Sequence, residues 1–166
     1  MDGKTIFVCG YSLDLDSYLI LINFLMEKYR PTCYRLYRGL NPNNDRKLAL
    51  IVIQNFSDIC ETSEQNSSPS YKGPIVNYLT DKFNQDSTSV KLFLLPQDSH
   101  NNYNTHIVVG YEVDSFTLTT YSEKFNLTVS KFKDFDVKNF CELTGVELIQ
   151  ENFSKVPWCI TVNNMY

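Results

Sequence analysis

The longest regular pattern of apolar residues follows Asp14. Its members recur at intervals of three and four residues, which is the spacing of one face of a helix. Further apolar residues lie between them, so the helix is expected to be buried on more than one side. Asp14 or Ser12 can cap its start, and Pro31 ends it. The pattern predicts a largely buried helix over Asp14–Tyr29, with apolar positions at Leu15, Tyr18, Leu19, Ile22 and Leu25.

Short runs of apolar and β-branched residues between glycines, prolines and polar turns predict strands. The run at Lys47–Asn55 is continuously apolar, which is typical of a central strand covered on both faces. A link of two residues, 114–115, predicts a hairpin between the runs His106–Val113 and Phe116–Tyr121. The runs are Lys4–Cys9, Thr32–Tyr37, Lys47–Asn55, Val90–Leu95, His106–Val113, Phe116–Tyr121, Phe125–Val129 and Trp158–Val162.

Two shorter helical patterns complete the secondary structure. Ile75–Phe83 begins after Pro74, and Asp136–Leu143 ends just before Gly145, as expected for proline at a helix start and glycine after a helix end. The polar segment Glu61–Gly73 is predicted to be a surface loop. The order of elements predicts one α+β domain over residues 1–166, with a mainly antiparallel sheet and a buried N-terminal helix.

Composition narrows the class of protein. The chain has 166 residues, of which 43% are hydrophobic, and a formal net charge of -4. It can therefore bury a core, and its charge argues against nucleic acid and membrane surfaces as partners. No apolar segment is long enough to span a membrane, and the N-terminus does not have the pattern of a secretory signal. We expect no membrane association and a cytoplasmic location.

The five cysteines are widely spaced, and no Cys-x-x-Cys motif occurs. This pattern predicts reduced thiols rather than a disulfide framework or a zinc site. The sequence also has no glycine-rich phosphate loop. We therefore expect neither a metal nor a cofactor.

One of the two histidines lies where a catalytic base could lie. His106 precedes the apolar run 107–109, and a histidine at the mouth of a buried strand can be held rigidly while its ring faces a cleft. The alternative is a histidine at a strand end with no catalytic role.

Residues 105–111 (Thr-His-Ile-Val-Val-Gly-Tyr) and the strand after them resemble the histidine hairpin of papain-like cysteine hydrolases. The bacteriocin leader peptidases and the butirosin-type acyltransferases are the branches most similar in this motif. The resemblance covers residues 75–140 and implies a papain-like fold acting on a peptide or acyl-carrier-type substrate. It implies that Cys9, placed before the first long helix, is the nucleophile and that His106 is the base. Thr119 or Thr120 stands at the orienting position, where the family has Asp or Asn, so a catalytically degenerate relative is an alternative.

Two functions other than thiol chemistry also fit the sequence. All four arginines lie within residues 30–46 and alternate with tyrosines. A strand carrying Arg35, Tyr37 and Arg38 could stack bases and pair phosphates of a nucleic acid or nucleotide, or it could be a solvated edge strand. The other function is a non-enzymatic interaction domain that binds a protein partner through surface tyrosines and phenylalanines. The sequence leaves open whether the protein is an enzyme.

Overall fold

Four strands of the chain form one antiparallel sheet in the order β2-β3-β1-β4. They come from a computed structural model that describes residues 3–43, 45–53, 75–87, 90–95, 107–113, 134–153 and 158–163. Five helices accompany the sheet in these ranges, so the predicted α+β class with a mainly antiparallel sheet is confirmed. The strands are β1 (Gly3–Ser12), β2 (Lys91–Leu94), β3 (Ile107–Val113) and β4 (Trp158–Asn163). The helices are α1 (Leu15–Tyr29), α2 (Pro31–Leu40), α3 (46–53), α4 (Ile75–Asp86) and α5 (Asp134–Thr144).

The register of the sheet assigns its residues to two faces, because directly paired residues point to the same side. Val109 pairs with Tyr11 and with Leu92, and it packs in the same hydrophobic cluster as the helices. On the opposite face, Val8 and Val108 are fully buried in a second, smaller cluster. The sheet therefore carries buried apolar residues on both faces.

A pair of glycines brings β1 and β3 unusually close together. Gly10 is the register partner of Gly110. A Cβ atom on Gly10 would lie 2.1 Å from the carbonyl oxygen of Val109, and one on Gly110 would lie 2.0 Å from that of Cys9. Both obstacles are backbone atoms in the middle of the sheet. Only glycine therefore fits at either position of this pair.

Helix α1 is the buried N-terminal helix that the apolar pattern predicts, and this prediction is confirmed. The carboxylate of Asp14 accepts a hydrogen bond from the backbone N–H of Ser17 at 2.8 Å and caps the helix. Four of its apolar side chains are completely buried: Leu21, Ile22, Leu25 and Met26. The helix contacts α2, α4 and α5, so it forms the centre of the main core.

The prediction of a strand at Thr32–Tyr37 is wrong, because Pro31–Leu40 forms helix α2. Pro31 ends α1 but also occupies the first turn of α2. Proline is tolerated there because backbone N–H groups in the first turn have no partner within the helix. Cys33 and Tyr37 are four residues apart and both buried. Arg35, between them, is exposed. In a strand Arg35 would share the face of Cys33 and Tyr37, so this burial pattern follows the period of a helix.

The prediction of a central strand at Lys47–Asn55 is also wrong, because residues 46–53 form helix α3. The side chain of Asp45 accepts a hydrogen bond from the backbone N–H of Leu48 at 2.9 Å, which caps the start of the helix. A short, continuously apolar run fits a buried strand and a helix equally well by periodicity alone. The cap at Asp45 is the local feature that favours the helix.

The other predicted elements divide into two groups. The remaining strands and helices in the described ranges occur where they are predicted, with ends that differ by up to three residues. The runs Phe116–Tyr121 and Phe125–Val129, the hairpin link 114–115 before the first of them, and the loop Glu61–Gly73 lie outside the described residues. Of the helices that the structure describes, none has the length and apolar character needed to cross a bilayer.

Candidate functional site

Cys9 lies inside β1 and not at a strand end. The strand continues through Gly10 to Ser12, and α1 begins only at Leu15. The Cys9 side chain is completely buried and shares the helix-covered face of the sheet with its register partner Tyr111. Cys9 is thus separated from the positive N-terminal end of α1, which lowers cysteine pKa values in thiol enzymes.

The surroundings of Cys9 favour a neutral thiol. Burial raises the pKa of Cys9 from 9.0 to about 11, with a smaller opposing effect from a backbone hydrogen bond. Its neighbour Tyr111 donates a hydrogen bond from its hydroxyl to Asp136 Oδ2 on α5 at 2.7 Å. Burial and this carboxylate both raise the pKa of Tyr111. At neutral pH the Cys9 sulfur is protonated, whereas a nucleophile of the papain-like type must be a thiolate.

The partners that the papain-like resemblance assigns to Cys9 lie outside the described residues. These are His106 and the orienting position, Thr119 or Thr120. Ile107, the residue after His106, pairs with Leu94 of β2, while Cys9 pairs with Tyr111 further along β3. The role of Cys9 and His106 as a catalytic pair stays a prediction.

Alkylation rates test the protonation state of Cys9 directly. We expect iodoacetamide at neutral pH to modify Cys159, which is exposed in β4, at least about tenfold faster than Cys9, because the thiolate is the reactive species and Cys9 is buried with a raised pKa. Mass spectrometry of the digested protein at successive times gives both rates. Cys33 is a matched control, since it is also completely buried and is expected to be alkylated more slowly than Cys159. Faster labelling of Cys9 than of Cys159 would contradict this expectation and support the papain-like role.

The candidate residues of the arginine–tyrosine segment lie on a helix, so the prediction of an arginine–tyrosine strand is wrong. Helix α2 exposes Arg35 and Arg38 but leaves Tyr37 only 2% exposed. The side chains of Asn41 and Asn23 hydrogen-bond Tyr37, and burial raises its pKa. The ring of Tyr37 is therefore not available to stack on a base, whereas both arginines are exposed.

The helices α2 and α3 expose a set of apolar and basic side chains that the sequence analysis missed. We call this set the basic apolar surface. Only residues 41–45 separate the two helices, and the inner faces of both pack in the same core. The surface consists of four aliphatic residues that are 39–49% exposed, Leu36, Leu40, Leu48 and Ile51, and of three exposed cationic residues, Arg35, Arg38 and Lys47. The clustering of all arginines within residues 30–46 was the available signal, but reading the segment as two strands concealed the apolar half.

Comparison with known proteins identifies no relative: no family model, no curated protein and no solved structure matches this chain. The papain-like resemblance therefore rests on the motif around His106 alone. The function is argued below from the chemistry of the described residues.

Proposed function

We propose that the protein is a non-enzymatic interaction domain that binds a protein partner through the basic apolar surface of α2 and α3. One observation carries the proposal: four large aliphatic side chains, 39–49% exposed, lie on two successive helices. Single exposed apolar residues are common on protein surfaces, but clusters of them mark places where another molecule binds.

Helix α3 supports this proposal by its composition. Its inner side chains, Ala49 and Ile53, are buried in the core, whereas Leu48 and Ile51 project outwards and are 40% and 46% exposed. A helix that is apolar on all sides is normally covered on all sides. Covering these side chains with a partner would contribute about 25 cal/mol for each Å² of apolar area removed from water.

The charges beside the aliphatic residues define the kind of partner. Arg35 and Lys47 are exposed, and Arg46 at the start of α3 pairs with Asp16 of α1 at 2.9 Å. Arginine is enriched among the residues that dominate binding energy at protein interfaces. Opposite charges across an interface accelerate association and fix its orientation. The partner surface is therefore apolar in its centre and acidic at its edge.

The state of the other candidate residues also favours an interaction domain. A buried, protonated Cys9 suits a structural role in the sheet, and a buried Tyr37 suits a role in the packing of α2. Thiol hydrolysis by Cys9 and His106 and nucleotide binding by Arg35 and Arg38 remain predictions. Neither has a described feature comparable to the exposed aliphatic cluster in its favour.

A displayed library of amphipathic peptides tests the proposed function. Peptides selected on the wild-type protein are expected to lose affinity by at least about tenfold when Leu40→Asp or Ile51→Asp introduces a charge into the apolar centre. Fluorescence polarisation with labelled peptides measures the dissociation constants, and circular dichroism checks that the variants are folded.

The matched control for this experiment is Leu15→Asp. Leu15 lies on α1 and is 40% exposed, so the substitution changes a leucine of comparable accessibility that lies outside the basic apolar surface. Peptide binding that is kept with Leu40→Asp and Ile51→Asp, or that is lost equally with Leu15→Asp, would contradict the proposed function.

A further inference from the structure

A second apolar surface, with charges of the opposite sign, lies at the C-terminal end of α5 and in the segment after it. Leu143 and Ile149 are 56% and 41% exposed. Glu142, Glu147 and Glu151 are exposed within the same stretch of chain, residues 142–151. We call these five residues the acidic apolar surface.

The fold anchors the backbone of this surface. Gly145 has a φ of 79°, a left-handed conformation that favours glycine, and its N–H donates to the carbonyl of Cys141 at 2.9 Å to end α5. The hydroxyl of Thr144 accepts a hydrogen bond from Val146 N at 3.1 Å. The hydroxyl of Ser17 on α1 donates to the carbonyl of Glu147 at 3.4 Å. The exposed side chains are thus presented from a backbone that is fixed to α1 and α5.

The acidic and basic apolar surfaces are complementary in both apolar character and charge. Each has exposed large aliphatic side chains, and one has three carboxylates whereas the other has two arginines and a lysine. Contact between two basic apolar surfaces, or between two acidic ones, would place like charges together at a cost in free energy. Contact between unlike surfaces buries aliphatic area and pairs opposite charges.

From this complementarity we infer that the partner of the basic apolar surface is the acidic apolar surface of a second copy of the chain. The inference rests on the proposed function, because it names the occupant of the same surface. Each copy contributes a different surface to the contact, so the contact is heterologous. Two such contacts can close a dimer, and repetition of one contact gives a longer assembly; either has a mass above that of the monomer.

Sedimentation velocity of the full chain over a range of concentrations tests self-association. The wild type is expected to exceed the monomer mass at low ionic strength and to dissociate as salt screens the charge pairs. A wild type that stays monomeric at all concentrations would overturn the inference. If such a monomer still binds selected peptides through Leu40 and Ile51, only the identity of the partner is wrong; if that binding is absent as well, the proposed function fails too.

Charge reversal identifies which surfaces make the contact. The variant Arg35→Glu/Lys47→Glu makes the basic apolar surface acidic, and Glu142→Lys/Glu147→Lys makes the acidic apolar surface basic. Each variant alone is expected to raise the dissociation constant of self-association by at least about tenfold, because its two surfaces then repel. An equimolar mixture of the two variants regains association, because each supplies the surface that the other lacks.

The control for charge reversal is Glu27→Lys, an exposed position on α1 outside both surfaces, which is expected to associate like the wild type. Association that neither double variant weakens would overturn the inference, since a different interface must then hold the copies together. A mixture that associates no better than its components would overturn it as well.

Discussion

Gly10→Ala and Gly110→Ala are each expected to lower the free energy of unfolding by about 3 kcal/mol or more, or to prevent folding. The added methyl group would lie 2.1 Å or 2.0 Å from a backbone carbonyl oxygen of the opposite strand, far inside van der Waals contact. Relief requires β1 and β3 to separate, and separation breaks the hydrogen bonds between the central strands. Flexible side chains cannot absorb this clash, because the obstructing atoms belong to the main chain.

Gly39→Ala is the matched control for the substitutions at Gly10 and Gly110. Gly39 lies in α2, and beyond its chain neighbours and the backbone of its own helix no atom lies within 4 Å of the position where its Cβ would be. Alanine is expected to raise stability there by about 0.5–1 kcal/mol, because glycine is the poorer helix former. Urea unfolding followed by circular dichroism measures all three variants. Stability of Gly10→Ala within about half a kcal/mol of the wild type would show that the strands are not as close as the structure has them.

Ile22→Ala is expected to lower the free energy of unfolding by about 2–5 kcal/mol through loss of apolar contacts and formation of a cavity. Ile22 is completely buried in α1, and this helix contacts three others, so the surrounding side chains have little freedom to fill the space. The same urea titration gives the difference in stability.

Ile20→Ala, two positions earlier in the same helix, is the matched control, because it makes the same chemical change at an exposed site. It removes the same atoms from a side chain that is 43% exposed, so its cost is expected to be below about 1 kcal/mol. Equal losses for Ile20→Ala and Ile22→Ala would contradict the central position of α1. They would also remove the basis for treating the helices as one packed core.

Local patterns were sufficient to predict α1 and most of the sheet. The first helix has a long apolar repeat and the cap of Asp14 at its start, and both signals are contained in the sequence itself. The strands that become β2, β3 and β4 are short runs with turn residues at their ends, and their type follows from residue preference. The register could not be predicted, since it depends on contacts between segments far apart in the chain.

The two wrong predictions have a common physical origin. Pro31 marks both the end of α1 and the start of α2, and a single proline does not reveal that a second helix follows. The apolar run after Lys47 is too short for its period to be measured. A central strand at Lys47–Asn55 would be covered on both faces, so its assignment left no apolar residue of that segment exposed to solvent. The exposed leucines of α2 and α3 could therefore not be recognised from the sequence.

The environment of Cys9 was equally beyond the reach of the sequence. Gly10 after Cys9 reads as the end of a strand, which would place the thiol just before α1. In the sheet, Gly10 instead pairs with Gly110 where β1 and β3 approach closely, and the strand continues. Whether a cysteine is a reactive thiolate or a buried thiol depends on tertiary burial, and the residue types around it do not reveal that burial.

The central position of β1 has a consequence for folding during synthesis. This strand is the first described element to leave the ribosome, but its neighbours β3 and β4 belong to later parts of the chain, and β4 is the last described element. Until they are translated, both edges of β1 can pair with other nascent chains. Such non-local pairing implies a high contact order and slow folding. We therefore expect the helices α1 to α4 to collapse first, and β1 to gain its two neighbours only after β3 and then β4 have been translated.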